Sequence, residues 1–212
     1  MNKRLVWNFE INPDIPFQQS TITNVELNEA RWEARFFWPE DNIIILNGLS
    51  PDFLNLSGYD IKHKNDIYYL LPKADYNLKI RKNELYYKPI LMKKSKAIAF
   101  GKKIKLSEQD KDSKLLGCEE KSVSSLLEDI KRHGKTIEIN KEAISYKFLT
   151  SPATKLELSR LKVENKIYFS ASIESYSREL VEITTKQLLG SVNTSDMLNF
   201  LKGCKNLICI IF

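Results

Sequence analysis

Ionisable side chains recur at every second position in several segments of this sequence. Arg31, Glu33 and Arg35 follow this spacing, with apolar residues between them. Because successive side chains of a β-strand point to opposite faces, such a segment predicts a strand with one charged and one apolar face. The same spacing recurs in four further segments, with the alternating residues Lys79 and Arg81; Glu84, Tyr86 and Lys88; Arg160 and Lys162; and Tyr168, Ser170, Ser172 and Glu174.

Two arrangements account for these charged faces. An antiparallel sheet commonly exposes one face to water, and its charges then need no function. If the five strands instead close into a barrel with the charged faces inward, the lumen holds roughly seven cations and three carboxylates. Buried charges must be paired, hydrated or bound to a ligand. A basic lumen suits a multiply charged anion, arginine supplies bidentate donors for phosphate, and a carboxylate can hold a divalent metal that bridges phosphate oxygens.

The rest of the pattern predicts the elements that position these side chains. The charged segments lie in strands predicted at 25–38, 77–81, 84–89, 156–163 and 166–173, and β-forming residues predict further strands at 66–71, 93–105, 136–139 and 143–149. Helices are predicted at 122–133, capped by Ser122, and at 177–189, closed by Gly190. A third helix is predicted at 194–201, with Thr194 or Ser195 as its cap and Gly203 at its end.

Together these elements predict an α+β protein, an antiparallel β-barrel or tunnel with helices packed outside. A chain of 212 residues is long enough for one domain with a substantial core. We therefore expect a single domain over residues 1–212. Its predicted parts are an irregular N-terminal arm at 1–24 with one short strand near 5–9, a barrel-like core at 25–190, and a C-terminal helix and apolar tail at 191–212.

Composition narrows the classes of function. The formal net charge of +6 favours an anionic partner. The three cysteines lack the spacing of a disulfide framework or a zinc site, and the two histidines, His63 and His133, are isolated. The glycine-loop motifs of the common nucleotide-binding folds are missing. No apolar run is long enough for a signal peptide or a membrane helix, which predicts a cytoplasmic protein that does not enter a membrane.

The order of these elements resembles that of the CYTH-type triphosphate tunnel metalloenzymes, which include thiamine triphosphatases, inorganic triphosphatases and class IV adenylyl cyclases. An early strand of that family carries Glu-x-Glu-x-Lys, and the matching segment here is Arg31-Trp32-Glu33-Ala34-Arg35. The later basic and acidic strands of the family match the segments Leu78-Lys79-Ile80-Arg81, Lys88, Arg160-Leu161-Lys162 and Ser172-Ile173-Glu174-Ser175. The resemblance covers residues 25–190.

The resemblance implies an eight-stranded tunnel that grips a triphosphate through basic side chains, namely Lys79, Arg81, Lys88, Arg160 and Lys162. It further implies that Glu33 and Glu174 hold Mg²⁺ or Mn²⁺, which polarises the terminal phosphoryl group for attack by water. Glu33 and Arg35 occupy the catalytic positions of the signature.

Three positions depart from the family pattern. Arg31 replaces the first glutamate of the signature, Arg35 replaces its lysine, and Ser172 replaces a C-terminal carboxylate. Two expected metal ligands are therefore missing. The resemblance then implies either a metal-dependent triphosphatase or a tunnel that binds a phosphorylated small molecule without turnover, with Arg31 supplying charge in place of a metal.

Two other classes of function remain open at this stage. A nucleic-acid-binding β protein would use a basic surface stripe with exposed aromatics, for which the candidates are Lys93, Lys94, Lys96, Lys102, Lys103 and Lys105. The same lysines also fit a solvated strand edge whose charges block edge pairing. A non-enzymatic adaptor would use apolar surfaces at 36–38 and 207–212, which also fit the core. The sequence leaves the oligomeric state open.

Overall fold

Antiparallel strands dominate the computed structural model, which describes residues 1–14, 29–71, 74–107, 112–115, 118–190 and 195–205. Eight of them close into a barrel: β3 (Arg31–Pro39), β5 (Asp60–Leu70), β6 (Tyr76–Arg81), β7 (Glu84–Lys94), β8 (Ala97–Phe100), β12 (Lys135–Phe148), β13 (Thr154–Val163) and β14 (Lys166–Ser175). Around the ring the order is β6-β5-β12-β13-β14-β3-β8-β7, and β7 pairs back to β6. The predicted α+β barrel is therefore confirmed.

Shorter elements lie outside the ring. The strands β1 (Lys3–Val6), β2 (Phe9–Asn12) and β4 (Ile44–Asn47) form a separate small sheet. Strand β9 (Ile104–Leu106) pairs antiparallel with the start of β7, and β10 (Lys114–Leu115) pairs with β11 (Cys118–Ser122). Two short 3-10 helices at Pro51–Leu54 and Leu56–Gly58 precede β5. The three α-helices are α1 (Val123–His133), α2 (Arg178–Leu189) and α3 (Met197–Cys204).

Several local predictions hold in detail. The predicted hairpin at 77–81 and 84–89 is β6–β7, and its two turn residues, Lys82 and Asn83, have φ of 52° and 62°. This left-handed pair matches the twist of the strands, so the register is fixed without the usual Asn-Gly. Ser122 caps α1 by accepting a hydrogen bond from the backbone N–H of Ser125, and Gly190 ends α2 with a φ of 65°.

Other local predictions are wrong. The N-terminal arm is not irregular over its described residues, because 3–12 contain β1 and β2. The strands predicted at 136–139 and 143–149 are one strand, β12. The third helix begins later than expected and is capped by Asp196, which accepts from the N–H of Asn199, while Gly203 lies within it. Residues 15–28, Thr194 and the apolar tail at 206–212 lie outside the described residues.

The barrel is apolar on its outside where other elements cover it. Helix α2 and the small sheet pack on alternate residues of β3 and β14, including Phe36, Ala171 and Ile173. Helix α1 covers the β6–β7 side, where Leu78 and Tyr87 are buried beside Val123 and Leu126. Since these residues take one face of each strand, the residues between them point into the lumen. Within the described residues, no helix has the length and apolar character needed to cross a membrane.

Candidate functional site: a basic pocket inside the barrel

The lumen contains a cavity of about 330 Å³ lined mainly by charged side chains. Nine of its lining residues are cationic, namely Arg31, Arg35, Lys64, Lys79, Arg81, Lys88, Lys103, Lys141 and Lys155. Four are carboxylates, namely Glu33, Asp66, Glu157 and Glu174. The described lining therefore carries a formal excess of five positive charges. Such an excess inside protein walls creates a strong positive potential that favours an anion.

Glu157 lies at the centre of the largest group of cations. Its carboxylate accepts hydrogen bonds from the Nζ of Lys141 and, at 3.2 Å, from the Nζ of Lys155. The guanidinium of Arg35 lies 3.7 Å from one carboxylate oxygen and the Nζ of Lys64 lies 4.0 Å from the other. Only 4% of the Glu157 side chain is exposed. Four cations thus share one buried carboxylate.

The titration of this group follows from its geometry. Burial favours the neutral form of Glu157, but Lys141, Arg35 and Lys155 outweigh it and hold the pKa of Glu157 well below its usual range. Burial also lowers the pKa of Lys141, to about 8, although Glu157 acts in the opposite direction. Lys141 is therefore a buried lysine that loses its proton at a mildly alkaline pH.

Asp66 forms a second ion-pair group with residues of the β6 strand. The guanidinium of Arg81 donates to its two carboxylate oxygens at 2.6 and 2.5 Å, and the Nζ of Lys79 donates at 2.8 Å. Strands β5 and β6 pair with Tyr68 opposite Lys79, so the pairing register brings these side chains together. Burial opposes the charge on Asp66, but the hydrogen bonds from Arg81 and the charge of Lys79 lower its pKa overall.

Glu33 is held by two cations, Arg35 on its own strand β3 and Lys88 on β7. The Nε of Arg35 donates to it at 2.6 Å, and the Nζ of Lys88 lies 3.6 Å from its other oxygen and 3.8 Å from the centre of the Phe100 ring. Burial raises the pKa of Glu33, but Arg35 and Lys88 outweigh that effect and lower it to about 2. Glu33 is therefore ionised, and its charge is already neutralised.

The outer rim of the pocket carries more exposed charges. Arg31 lies 3.5 Å from Glu174 and its guanidinium stands over the ring of Tyr176, with 48% of its side chain exposed. Glu174 lies directly opposite Glu33 in the β14–β3 register. The Nζ of Lys103 lies 4.2 Å from the centre of the Tyr86 ring. These contacts keep two cations at the entrance without burying them.

Three buried serines lie on the inner faces of the strands around Glu157. The hydroxyls of Ser145, Ser159 and Ser172 are buried, and none has a hydrogen-bond partner among the described residues. Pairing places Glu157 between Ser145 on β12 and Ser172 on β14. An unpaired buried hydroxyl is uncommon, since most such groups in native proteins have a partner. The three hydroxyls are therefore spare donors beside the cations around Glu157.

Helix α3 closes one end of the lumen. Its residues Leu198, Phe200 and Leu201 pack in one cluster with Phe37 and Ile139, which lie two residues beyond Arg35 and two residues before Lys141 on the inner faces of their strands. The rings of Phe37 and Phe200 stack with their centres 3.9 Å apart. The backbone N–H of Ser195 donates to the carbonyl of Arg35 at 2.9 Å, which anchors the helix to β3. The cavity is thus a blind pocket.

Most of the site residues proposed from the sequence converge on this pocket. It is lined by Arg31, Glu33, Arg35, Lys79, Arg81, Lys88 and Glu174. Arg160 and Lys162 do not line it, and the expectation that they face the tunnel is wrong. On β13 the inner face carries Lys155 and Glu157, so the even-numbered cations point outward, and Arg160 pairs with the exposed Glu142 at 3.6 Å.

Sequence reasoning missed several lining residues. Lys155 and Glu157 alternate with Leu156 and Leu158, but the predicted strand began at 156 and so left out the first charge. Lys64 lies before the strand predicted at 66–71, because residues 62–65 are all polar and do not favour a strand. In the structure β5 already begins at Asp60. Lys141 lies in the gap between two predicted strands that are one strand in the structure. The alternation within β13 was the available signal.

The carboxylates of the pocket do not fit a divalent metal. Mg²⁺ and Mn²⁺ prefer several oxygen ligands that converge on one point. Within the described residues, no group of three acidic, histidine or cysteine side chains is placed to hold a metal. Glu33 is already bound by Arg35, and Glu174 lies against Arg31. Binding a metal would require both carboxylates to leave these cations.

The lysine-rich stretch at 93–105 does not form one basic stripe. Lys93 lies 2.6 Å from Asp75, and Lys105 lies 2.6 Å from Glu84. Lys103 belongs to the entrance of the pocket. Lys93 and Lys105 are thus held in two separate ion pairs, and Lys103 faces the pocket.

Comparison with known proteins gives distant structural matches. A putative adenylate cyclase from Bacillus halodurans shares 12% identity, with 66% of this chain and 82% of that chain covered and a TM-score of 0.43. The PH1819 protein of Pyrococcus horikoshii OT3 shares 14% identity, with 80% and 97% covered and a TM-score of 0.37. No protein-family model and no curated protein sequence matches the chain. At these identities and TM-scores the matches do not place the chain in a family.

Proposed function

We propose that this protein binds a triphosphate-containing small molecule in the basic pocket of its barrel. The observation that carries the proposal is the formal excess of five positive charges on the inner wall of a blind pocket. A cavity of about 330 Å³ falls at the lower end of the usual range for small-molecule sites. The pocket has room for one compact ligand.

The kinds of cation favour phosphate oxygens. Arg35 and Arg81 present planar guanidinium groups, which bind phosphate through two parallel hydrogen bonds. Lysine ammonium groups from four strands act as point charges around them, namely those of Lys64, Lys79, Lys88 and Lys141. Because the cations are grouped around three separate carboxylates, Glu33, Asp66 and Glu157, a ligand with several linked anionic groups uses more of them than a single phosphate does.

We propose binding without metal-dependent hydrolysis. In this pocket each of the carboxylates expected to hold a metal has an arginine beside it, so positive charge comes from side chains. Arg35 and the neighbouring lysines orient and neutralise the phosphate oxygens. No side chain needs to act as a nucleophile for this function. Addition of Mg²⁺ is therefore expected to release no phosphate from inorganic triphosphate.

The test is a matched pair of triple variants assayed by isothermal titration calorimetry with inorganic triphosphate. The lumen variant combines Lys79→Met, Arg81→Met and Asp66→Asn, so that no carboxylate is left buried without a cation. Each lost charge-assisted hydrogen bond costs about 1.5–3 kcal/mol, so we expect the affinity to fall by about 100-fold or more.

The control makes the same change of charge on the outer face of the barrel. It combines Arg160→Met, Lys162→Met and Glu142→Gln, which are neighbours on β13 and β12. We expect its affinity for triphosphate to stay close to that of the wild type. Equal losses in the two variants, or no binding by the folded wild-type protein at millimolar triphosphate, would rule out the pocket as the binding site.

A further inference from the structure

Glu157 makes the contacts that an anionic ligand would make. In the barrel interior it is surrounded by Lys141, Lys155, Arg35 and Lys64, each within 4.0 Å of its carboxylate. Two unpaired buried hydroxyls, of Ser145 and Ser172, lie on the strands at either side of it. A site with four cations and spare hydroxyl donors around one carboxylate holds more donors than that carboxylate uses.

We propose that Glu157 is a built-in occupant of the anion site, and that a ligand binds by taking over its cations. The inference rests on the proposed function, since it concerns how the same pocket chooses its anion. In the free protein Glu157 keeps four mutually repelling cations together. When the ligand binds, its phosphate oxygens replace the carboxylate oxygens on Lys141 and Lys155, and the carboxylate is displaced or shares the cations.

This exchange makes Glu157 a specificity-determining residue. A single phosphate brings little more charge to these cations than the carboxylate it must displace. A triphosphate also reaches the cations around Asp66 and Glu33, for example Arg81 and Lys88, so it binds while sharing Lys141 and Lys155 with the carboxylate. The cost of displacing Glu157 therefore falls mainly on the shorter anion. Glu157 thus selects polyphosphate groups against the inorganic phosphate of the surrounding solution.

The experiment compares Glu157→Gln with the wild-type protein in titrations with phosphate, pyrophosphate and triphosphate, all with a chelator present. Glutamine has no charge to compete for Lys141, Lys155, Arg35 and Lys64, so we expect phosphate affinity to rise by at least about tenfold. Triphosphate affinity should rise less, so the ratio of triphosphate affinity to phosphate affinity should fall. Weaker binding of all three anions by the variant would overturn the proposal.

Two controls separate charge from position and from folding. Glu142→Gln removes a carboxylate from the outer face of the adjacent strand and is expected to leave all three affinities close to wild type. If Glu157→Gln fails to fold because Lys141 loses its counter-charge, the double variant Glu157→Gln with Lys141→Met removes the ion pair as a unit. In that variant the ratio of triphosphate affinity to phosphate affinity should still be lower than in the wild type, and an unchanged ratio would overturn the proposal.

The outcomes distinguish this inference from the proposed function. If the wild-type protein binds none of the anions, the proposed function fails. If the wild type binds triphosphate but Glu157→Gln keeps the same selectivity as Glu142→Gln, the proposed function stands and the role of Glu157 is refuted. If binding by the wild type requires Mg²⁺, the carboxylates act as metal ligands and the inference is refuted.

Discussion

The two ends of the barrel interior are filled by opposite kinds of side chain. At one end, helix α3 inserts Leu198, Phe200 and Leu201 among apolar residues of five strands, β3, β5, β12, β13 and β14. At the other end, the same faces of the same strands carry ion pairs around Glu33, Asp66 and Glu157. We name these regions the apolar plug and the charged pocket.

The difference shows that the apolar plug stabilises the fold and that the charged pocket contributes little to its stability. Burying apolar side chains in the plug is favourable at any pH. When an ion pair is buried, the attraction between its charges is roughly offset by the loss of their hydration. Apolar residues of similar size in the same place would often make the fold at least as stable. A fold that keeps so many charges inside therefore retains them for a reason other than stability, and an anionic ligand supplies one.

The largest expected effect comes from the apolar plug. Phe200 is fully buried and stacks on Phe37. Phe200→Ala is expected to lower the free energy of unfolding by about 3–5 kcal/mol, because it removes a large side chain and leaves a cavity. Affinity for triphosphate should change little in the folded fraction, since the ring does not line the charged pocket.

Urea unfolding and titration calorimetry measure these two quantities separately. The control is Leu149→Ala, which truncates a side chain that is 90% exposed and should change stability by at most about 0.5 kcal/mol. A loss of affinity that matches the loss of stability in Phe200→Ala would show that the plug and the charged pocket are coupled, contrary to the division drawn above.

A smaller effect is expected from the pH dependence of the charged pocket. The pKa of Lys141 is lowered to about 8 in the folded protein, whereas an unfolded lysine titrates near 10.4. Between these values the unfolded chain binds more protons than the folded one, so the contribution of Lys141 to stability rises with pH. The rise is about 1.4 kcal/mol per unit of pKa difference, or at most about 3 kcal/mol across the window.

Lys141→Met isolates this contribution because methionine does not titrate. Urea unfolding between pH 7 and 10.5 should show wild-type stability rising relative to the variant. Over the same range, triphosphate affinity of the wild type should fall as Lys141 loses its charge. The Phe200→Ala variant should keep the wild-type pH profile. Parallel profiles for wild type and Lys141→Met would contradict the assignment.

The same two regions explain what the sequence predicts well and what it does not. Alternation on β3 correctly groups Arg31, Glu33 and Arg35 on one face, because β3 is apolar on its other face from Trp32 to Phe36. On β13 the apolar positions change parity along the strand. Leu156 and Leu158 face outward toward the covering elements, whereas Leu161 and Val163 face inward toward the plug.

This change of parity is why the alternating pattern predicts the wrong face for Arg160 and Lys162. An alternation with a period of two residues shows which residues share a face of the strand, but it does not show which face points inward. The inward face of β13 becomes known only once α3 is seen inside the barrel, and the sequence predicted that helix without its location. The position of Lys64 beside Lys141 and Glu157 depends on the pairing of β5 with β12, two strands that lie far apart in the chain, and no local pattern contains it.

The smallest expected effect separates the two roles that a polar residue has in the charged pocket. Ser172 lies between Glu157 and Arg35 in the strand order, and its buried hydroxyl has no partner among the described residues. Ser172→Ala therefore removes no hydrogen bond from the free protein, and we expect stability to be unchanged or slightly higher. If the hydroxyl donates to a bound phosphate, triphosphate affinity falls by about fivefold, the equivalent of ~1 kcal/mol.

Ser175→Ala is the matched control, because that hydroxyl donates to the carbonyl of Ala153 at 3.2 Å and is also buried. Its loss should lower the free energy of unfolding by about 1 kcal/mol and leave affinity unchanged. The two serines, three residues apart on one strand, thus predict opposite results in unfolding and binding assays. If Ser172→Ala instead destabilises the protein and leaves binding intact, its hydroxyl belongs to the fold, and the pocket binds its anion through cations alone.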